Sequence, residues 1–535
     1  MTTASPTPDT SVWKTRYFFS VFMAGLVSLA LELAAGRLLA PAFGTTELVW
    51  SAIIGLILLY FSAGYALGGW WADRSPYPTT LYTIVIVAGL TTALIPLMAR
   101  PLLLAAARGM HGFNLGLILG PFVIILLLFA VPVTLLACVS PFALRLSIDD
   151  VARSGKTAGR LSAFATLGSF IGALLPNLVL IPNLGTQRTF LLLALLALGL
   201  GLWGLWHAHR RRFWLLAWTL LPVAALFLWN PGTIKPQANL IHEEESAYNL
   251  IQVLEDSQGR RYLLLNEGQG VHSIYTPPAA YGDGGNPLAL LTGGPWDYFL
   301  IAPYFNPAPH PPDSVEDLLV IGLAGGTTPT QFAEIYGPLP VDGVEIDPAI
   351  VEVGRRYFGM TRPELEVHTT DGRTYLLQSR RRYSVVAIDA YRLPYIPWHL
   401  TTVEFFQQVR DHLRDDGVVA INVGYTPAPG APSGGDWRLV DAMVATMGQV
   451  FADVHIITIP NSFNAIVVAT VQPSTPDNLA ANLPLLEDIR LRTLTEQALA
   501  QLRAPAPSNL IFTDDRAPIE QLTHALVLRY VLGVP

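Results

Sequence analysis

The sequence predicts a multi-pass α-helical membrane domain followed by an α/β domain built on a parallel sheet. Three observations predict it. Only 14% of the 535 residues are Asp, Glu, Lys or Arg, against about 25% in an ordinary soluble domain, while 51% are hydrophobic. The mean hydropathy is +0.41, and the apolar residues recur in long runs that stop at Trp229. Beyond Trp229, short apolar strands alternate with amphipathic stretches. The net charge of −7, from 33 basic and 40 acidic residues, excludes a basic nucleic-acid-binding surface, so no nucleic-acid partner is expected. The single cysteine, Cys138, lies in an apolar run and reads as an inert buried thiol.

Residues 1–16 read as a disordered Thr/Ser/Pro tail and residues 17–229 as a transmembrane domain of about seven helices. The spans are Tyr17–Ala40, Leu48–Ala72, Thr80–Met98, Leu115–Ala137, Leu161–Ile181, Thr189–Trp206 and Phe213–Trp229. Each is close to the ~20 residues that carry a helix across ~30 Å of hydrocarbon. Glu32 and Arg37 fall in or beside the first span, as a polar site inside the bundle or, the blander reading, as an interhelical clamp with Arg37 reaching the interface. Gly64 with Gly68, and Gly168 with Gly172, are spaced for close helix packing.

Lys and Arg in the tail and the even-numbered loops place the N-terminus inside. Seven crossings then put the second half outside the cytoplasm, against the nucleoside chemistry read below. The last span, short and containing Pro222, decides the count. The lipid bilayer is the expected partner of this half and the plasma (inner) membrane its location, with the side of the second half open.

Residues 230–312 read as a β-rich subdomain with a linker, and residues 313–535 as the α/β domain. Tyr248–Leu254 and Arg261–Leu265 form hairpin strands around the Ser257–Gly259 turn, Trp296–Phe305 is helical, and Pro307–Pro312 is a linker. Strands follow at Leu318–Ile321, Val341–Ile346, Leu365–His368, Val385–Ile388 and Val418–Asn422. Helices lie at Thr330–Ile335, Ala349–Tyr357, Thr402–Leu413 and Trp437–Val450, and Val454–Ile459 with Ala465–Thr470 closes the series as an antiparallel pair. A sheet of this kind binds ligand at the carboxyl ends of its strands.

Those ends carry the chemistry. Gly322-Leu323-Ala324-Gly325-Gly326 follows the first strand, where glycines let the backbone approach a ligand closely. The second strand ends in Glu345, placed to accept both hydroxyls of a ribose. The third ends in Asp371-Gly372, a carboxylate able to accept from an adenine amino group, and the fourth in Asp389. Any one of these acids can instead cap the helix that follows it. Four successive strand ends offering glycine or carboxylate favour a nucleoside site. With no Lys-Ser/Thr after the glycine turn, a phosphate cradle is not expected, and a cationic sulfonium nucleoside suits the acidic ends better than a dinucleotide.

The runs VIGLAGGTTP, VDGVEIDPAIVEVGRRYF, HTTDGRTYL, YSVVAIDAYR and PWHLTTVEFFQQVRDHLRDDGVVAINV resemble the spermidine synthase (polyamine aminopropyltransferase) family. That family is a branch of the Rossmann-like class I AdoMet-dependent methyltransferase fold. YNLIQV and YLLLNEGQGVHSIY resemble its small β-hairpin subdomain, and TDDRAPIEQL its C-terminal close. LELAAGRLLAPAFG and GYALGGWWADR resemble the membrane-fused branch. The resemblance implies a membrane-anchored aminopropyltransferase using decarboxylated S-adenosylmethionine, or S-adenosylmethionine, as co-substrate with a small-molecule amine and no metal. It places Gly322, Gly325, Gly326 and Gly372 around the nucleoside, Glu345 on ribose, Asp371 on adenine, and Asp389 as the first carboxylate of a catalytic Asp-x-x-Asp. A tendency to homodimerise comes with the resemblance alone.

The sequence departs from the family pattern at three places. Arg392 stands for the second carboxylate of Asp-x-x-Asp, Gly325 for the family's Asp in the glycine turn, and Trp296-Asp297-Tyr298 for its Tyr-His-Glu. An arginine there would repel a diamine's second ammonium, which argues against putrescine. Asp297, Tyr391 and Glu404 are the remaining candidates for the amine. Trp398 and His399 read as packing or capping residues, and Asp514 and Asp515 as caps of the final helix. Two alternatives stay open: another AdoMet-dependent transferase such as an N-methyltransferase, and a non-catalytic transporter or sensor that binds a nucleoside or polyamine.

Overall fold

The computed structural model describes residues 10–43, 47–109, 116–148, 154–229, 237–266, 270–282, 284–391, 396–428 and 431–532. The chain forms two compact units. One comprises Met1–Pro236 with Glu245–Tyr248, and the other Gln237–Glu244 with Asn249–Pro535.

The first unit is helical: α1 (Thr10–Phe43), α2 (Glu47–Arg74), α3 (Pro78–Gly109), α4 (Gly116–Ala137), α5 (Val139–Ser147), α6 (Ser154–Leu175), α7 (Ile181–Ala208), α8 (Arg210–Ala217) and α9 (Leu220–Leu228). Helix α1 starts at Thr10, so part of the expected tail is helical, and Tyr17 is already buried. Residues 1–9 lie outside the described residues. Seven spans are expected from the sequence; six stretches among the described residues are long and apolar enough to cross a bilayer. The fifth and sixth expected spans join into one 55-residue stretch, Ser154–Ala208. A straight helix of that length would measure about 80 Å, far more than the ~30 Å of hydrocarbon. Gly185 breaks it, with φ 79° and ψ 166°, a backbone state that costs glycine little.

Small residues set the helix spacing. A Cβ on Gly168 would lie 1.9 Å from the Phe22 carbonyl oxygen, and one on Gly172 would lie 2.2 Å from that of Leu26. The rising numbers on both sides show that α1 and α6 run parallel at backbone contact. A Cβ on Gly64 would lie 2.4 Å from the Thr134 carbonyl oxygen in α4, and one on Gly68 would lie 2.7 Å from the Cys138 Cα just past it, so α2 and the end of α4 share the device. Arg37 donates from its guanidinium to the carbonyl oxygens of Ser246 and Tyr248. Glu245 accepts from the Thr186 amide at 2.7 Å and from its hydroxyl at 2.6 Å, which caps the helix that resumes after Gly185. Arg37 therefore holds the non-helical segment Ser246–Tyr248, a contact that neither sequence reading, a polar site in the bundle or an interhelical clamp, describes.

The second unit opens with a four-stranded sheet in the order β1 (Leu240–Glu245), β2 (Leu250–Glu255), β3 (Arg261–Leu265), β4 (Val271–Tyr275). A short helix α10 (Pro295–Phe299) and a 3-10 turn (Ala302–Phe305) take the place of the single helix expected over 296–305, because Pro303 interrupts it. Then come β5 (Leu318–Ile321), α11 (Thr327–Tyr336), β6 (Val341–Glu345), α12 (Pro348–Tyr357), β7 (Leu365–Thr369), α13 (Gly372–Gln378) and β8 (Tyr383–Ile388). They continue with α14 (Val403–Asp411), β9 (Leu413–Gly424), the hairpin β10 (Thr426–Ala428) and β11 (Ala431–Asp436), and α15 (Arg438–Met447). The chain closes with β12 (Val454–Thr458), β13 (Asn464–Thr470), α16 (Pro476–Asn482), α17 (Ile489–Gln501), β14 (Leu502–Arg503) and α18 (Ile519–Leu532).

The main sheet has the order β14-β12-β13-β9-β8-β5-β6-β7. Strands β7, β6, β5, β8 and β9 are parallel; β13 runs against both β9 and β12. Alternate strand residues feed two cores. Leu319, Ile321, Val386, Ile388 and Val419 pack with Phe405, Phe406 and Met443 on one face. Leu318, Val320, Val385, Ala387 and Val418 pack with Phe299, Phe305 and Phe332 on the other. Burial on both faces is why these strands read as unbroken apolar runs.

Gly168→Leu should force α1 from α6 and lower the thermal unfolding midpoint in detergent by several degrees, whereas Gly159→Leu, with nothing within 4 Å of its Cβ, should leave it nearly unchanged. Equal midpoints for the two variants would contradict the packing.

Candidate active site

Strand order reverses between β5 and β8, and an open α/β sheet holds ligand at the carboxyl ends flanking such a reversal. The two ends are bonded directly: the Asp389 amide donates to the Ile321 carbonyl at 2.8 Å. Gly322 sits beside that bond at φ 89°, and a Cβ there would lie 2.4 Å from the Asp389 carbonyl oxygen. Three of the five turn residues, Gly322, Ala324 and Gly326, have positive φ. Ala324 takes the uncommon left-handed state at φ 47° with its amide donating 3.0 Å to Glu345 Oε2, so the glycine turn and the second strand end are one structure.

The carboxylates at the strand ends have different surroundings. Glu345, 7% exposed, accepts from the Ala324 amide on Oε2 and from the Asp347 amide at 3.1 Å on Oε1. Burial pushes its pKa up to about 7 against the pull of those amides. Asp347 caps α12 by accepting from the Ala349 amide. Asp371 accepts from His399 Nε2 at 2.8 Å and, as the cap of α13, from the amides of Arg373 and Thr374 at 3.0 Å. The His399 bond above all holds its pKa down at about 2. Gly372 is needed behind it, since a Cβ would lie 2.4 Å from Ile321 Cγ2.

Asp389 is held by side chains rather than amides. Its Oδ1 accepts from Asn422 Nδ2 at 2.9 Å and its Oδ2 from Trp296 Nε1 at 2.8 Å, both uncharged donors. Burial pushes its pKa up to about 6, and the two bonds only partly offset that. The sequence offers Trp296 only as the counterpart of the Tyr in the family's Tyr-His-Glu, and does not point to Asn422. Asn422 lies near the carboxyl end of β9, one strand over from Asp389, and that place is the signal it carries.

The remaining candidates sit elsewhere. Asp297, 1% exposed, is wrapped by the Thr292 amide and hydroxyl at 3.0 Å, the Gly293 amide at 2.7 Å and Gln331 Nε2 at 2.6 Å. Burial raises its pKa. The Tyr391 hydroxyl donates to the Asn422 carbonyl at 3.1 Å, next to Asp389. Glu404 accepts the Asp514 amide at 3.0 Å in the first turn of α14. Asp514 does not cap the last helix: it takes both terminal nitrogens of Arg373 at 2.7 and 2.6 Å and the Thr402 hydroxyl at 2.7 Å. His399 does not cap the following helix, whose cap is Thr402, and instead bonds Asp371. Gly325, where the family has Asp, is hemmed in, with a Cβ placed 3.0 Å from both Phe358 and Ser273. Arg392 lies outside the described residues.

A parallel sheet reversing at β5 and β8, an antiparallel β13 inserted before β12, and a glycine turn joined to an acidic second strand end define a class I AdoMet-dependent transferase fold. Residues 313–476 match the spermine/spermidine synthase domain. A probable polyamine aminopropyl transferase of Bifidobacterium longum is 30% identical over 308 residues, covering 54% of this chain and 64% of that protein. The polyamine aminopropyltransferase of Vibrio vulnificus is 30% identical over 278 residues, covering 48% of this chain and 82% of that one. A solved structure of a probable spermidine synthase from Corynebacterium glutamicum is 20% identical, with a TM-score of 0.37 and coverage of 52% of this chain and 99% of that chain. The chain belongs to the spermine/spermidine synthase family of polyamine aminopropyltransferases.

A carboxyl whose pKa rises on folding holds its proton more tightly in the native state. Glu345 therefore favours the fold below its ordinary value of 4.5, and that contribution is lost as pH rises toward about 7. Glu345→Gln removes the dependence, so the difference in unfolding midpoint, variant minus parent, should grow by a few degrees between about pH 5 and about pH 8. A constant difference would mean that Glu345 titrates normally.

Proposed function

We propose that this chain transfers an aminopropyl group from decarboxylated AdoMet to a small amine and releases methylthioadenosine at the β5/β8 reversal. The observation that carries the reading is Asp389: a carboxylate next to the glycine turn, held among the described residues by two neutral donors, Trp296 Nε1 and Asn422 Nδ2, and by no cation. An aliphatic amine is protonated in water, with a pKa near ~10, and attacks only after losing a proton. Asp389 attracts the ammonium and accepts that proton, helped by the raised pKa of its carboxyl. The nitrogen lone pair forms the new bond to the carbon beside sulfur, the carbon–sulfur bond breaks, and its electron pair stays on sulfur as a neutral thioether.

The other residues hold the nucleoside. Glu345 accepts ribose hydroxyls beside the Ala324 amide, and Asp371, fixed by His399, faces the adenine. Fixing both reactants replaces an encounter in solution, and such positioning supplies several kcal/mol of a typical barrier reduction, on the order of 7–11 in favourable cases. The six long apolar helices support a lipid bilayer as the surroundings of the first unit.

Asp389→Asn should abolish methylthioadenosine release from the full chain, while methylthioadenosine binding stays within about threefold of the parent by calorimetry. Normal turnover in this variant would remove Asp389 from the chemistry. The parent's kcat/KM should fall on the acid side of about pH 6, where Asp389 becomes protonated. In Trp296→Phe the limb should move to higher pH, because the lost bond stabilises the charged carboxylate.

A further inference from the structure

We propose that the narrow crevice beside the glycine turn is a subsite for a primary aliphatic ammonium, with Gln331 Oε1 as its acceptor and buried Asp297 as its counter-charge. The inference deepens the aminopropyl reading and rests on it, since the ammonium is the terminal amine of the transferable chain.

Gln331 is 1% exposed. Its Nε2 donates to Asp297 Oδ1 at 2.6 Å and to the Leu290 carbonyl at 3.2 Å. Two acceptors on one side fix the amide, because turning it over would set its oxygen against both. The oxygen therefore points the other way, and among the described residues it is a buried acceptor with no partner. An acceptor left in that state costs on the order of 1–3 kcal/mol unless a donor arrives. The side chain lines a crevice shared with Tyr275, Thr276, Leu290, Gly325 and Thr330.

The charge of the arriving donor follows from what lies behind the amide. Asp297 is bonded by backbone amides, one hydroxyl and Gln331, all neutral groups. Among the described residues, no Lys or Arg lines the crevice. A cation there sees a buried carboxylate across one polarised amide, and a carboxylate would meet only an acceptor and that same negative charge. The crevice has room for a group the size of water, which suits an ammonium head on a short chain. Helix α10 thus serves two subsites with neighbouring residues, Trp296 on Asp389 and Asp297 on Gln331.

The test compares three ligands on the purified full chain by calorimetry: methylthioadenosine, decarboxylated AdoMet, and the sulfonium analogue carrying propyl in place of aminopropyl. The parent should bind decarboxylated AdoMet at least about tenfold more tightly than the propyl analogue. Gln331→Met should bring the two within about threefold while methylthioadenosine binding is unchanged. Equal affinity of the two sulfonium ligands for the parent overturns the subsite whatever the variant does, as does discrimination that survives Gln331→Met. AdoMet, which carries a carboxylate beside its amine, should bind more weakly than its decarboxylated form, and the reverse order also overturns it. If the parent binds none of the nucleosides, the aminopropyl reading itself fails, an outcome distinct from loss of discrimination alone.

Discussion

One short contact organises the site: the Asp389 amide bonded to the Ile321 carbonyl, with Gly322 packed against the same peptide. Parallel pairing of β5 with β8 brings the two strand ends together, while their chains leave in opposite directions to build the two wings of the sheet. The gap this opens lies between two parallel strand ends whose chains leave to opposite sides. Any side chain at 322 would have to occupy the Asp389 backbone, so the reversal, the glycine and the carboxylate stand or fall together.

Electrostatics then separates acids that look alike. Asp371 sits on a helix N-terminus with two amides and an imidazole, and its charge is held. Glu345 has two amides but lies deeper, and burial outweighs them. Asp389 has two uncharged side-chain donors and, among the described residues, no bonded cation, and burial outweighs those donors to raise its pKa. Asp297 is buried under five donor contacts, one of them from Gln331. Four carboxylates of similar sequence context thus differ in donors and depth.

Close backbone approach is used again in the helical unit. Gly168 and Gly172 seat α6 on α1, and Gly64 and Gly68 seat α2 against α4, with gaps too small for any Cβ. Helices in hydrocarbon gain little from burying apolar surface against one another, so contact at this range supplies the attraction. Gly185 serves another purpose, breaking a helical run too long for one crossing, with Glu245 capping the helix that restarts.

Much of this was legible from sequence because it depends on local pattern. Apolar runs of about twenty residues mark helices suited to a bilayer, and unbroken four- to six-residue runs mark strands buried on both faces. Glycine or acid follows four successive strands, so Gly322, Glu345, Asp371 and Asp389 are expected at adjoining strand ends, where the structure has them. Only the tertiary structure decided what each acid meets: Trp296 and Asn422 reach Asp389 from 93 and 33 residues away, and His399 reaches Asp371 from 28. It likewise joined two expected spans into one broken stretch and turned Asp514 toward Arg373. Periodicity is written along the chain, whereas hydrogen-bond partners and depth of burial arise only when distant segments pack.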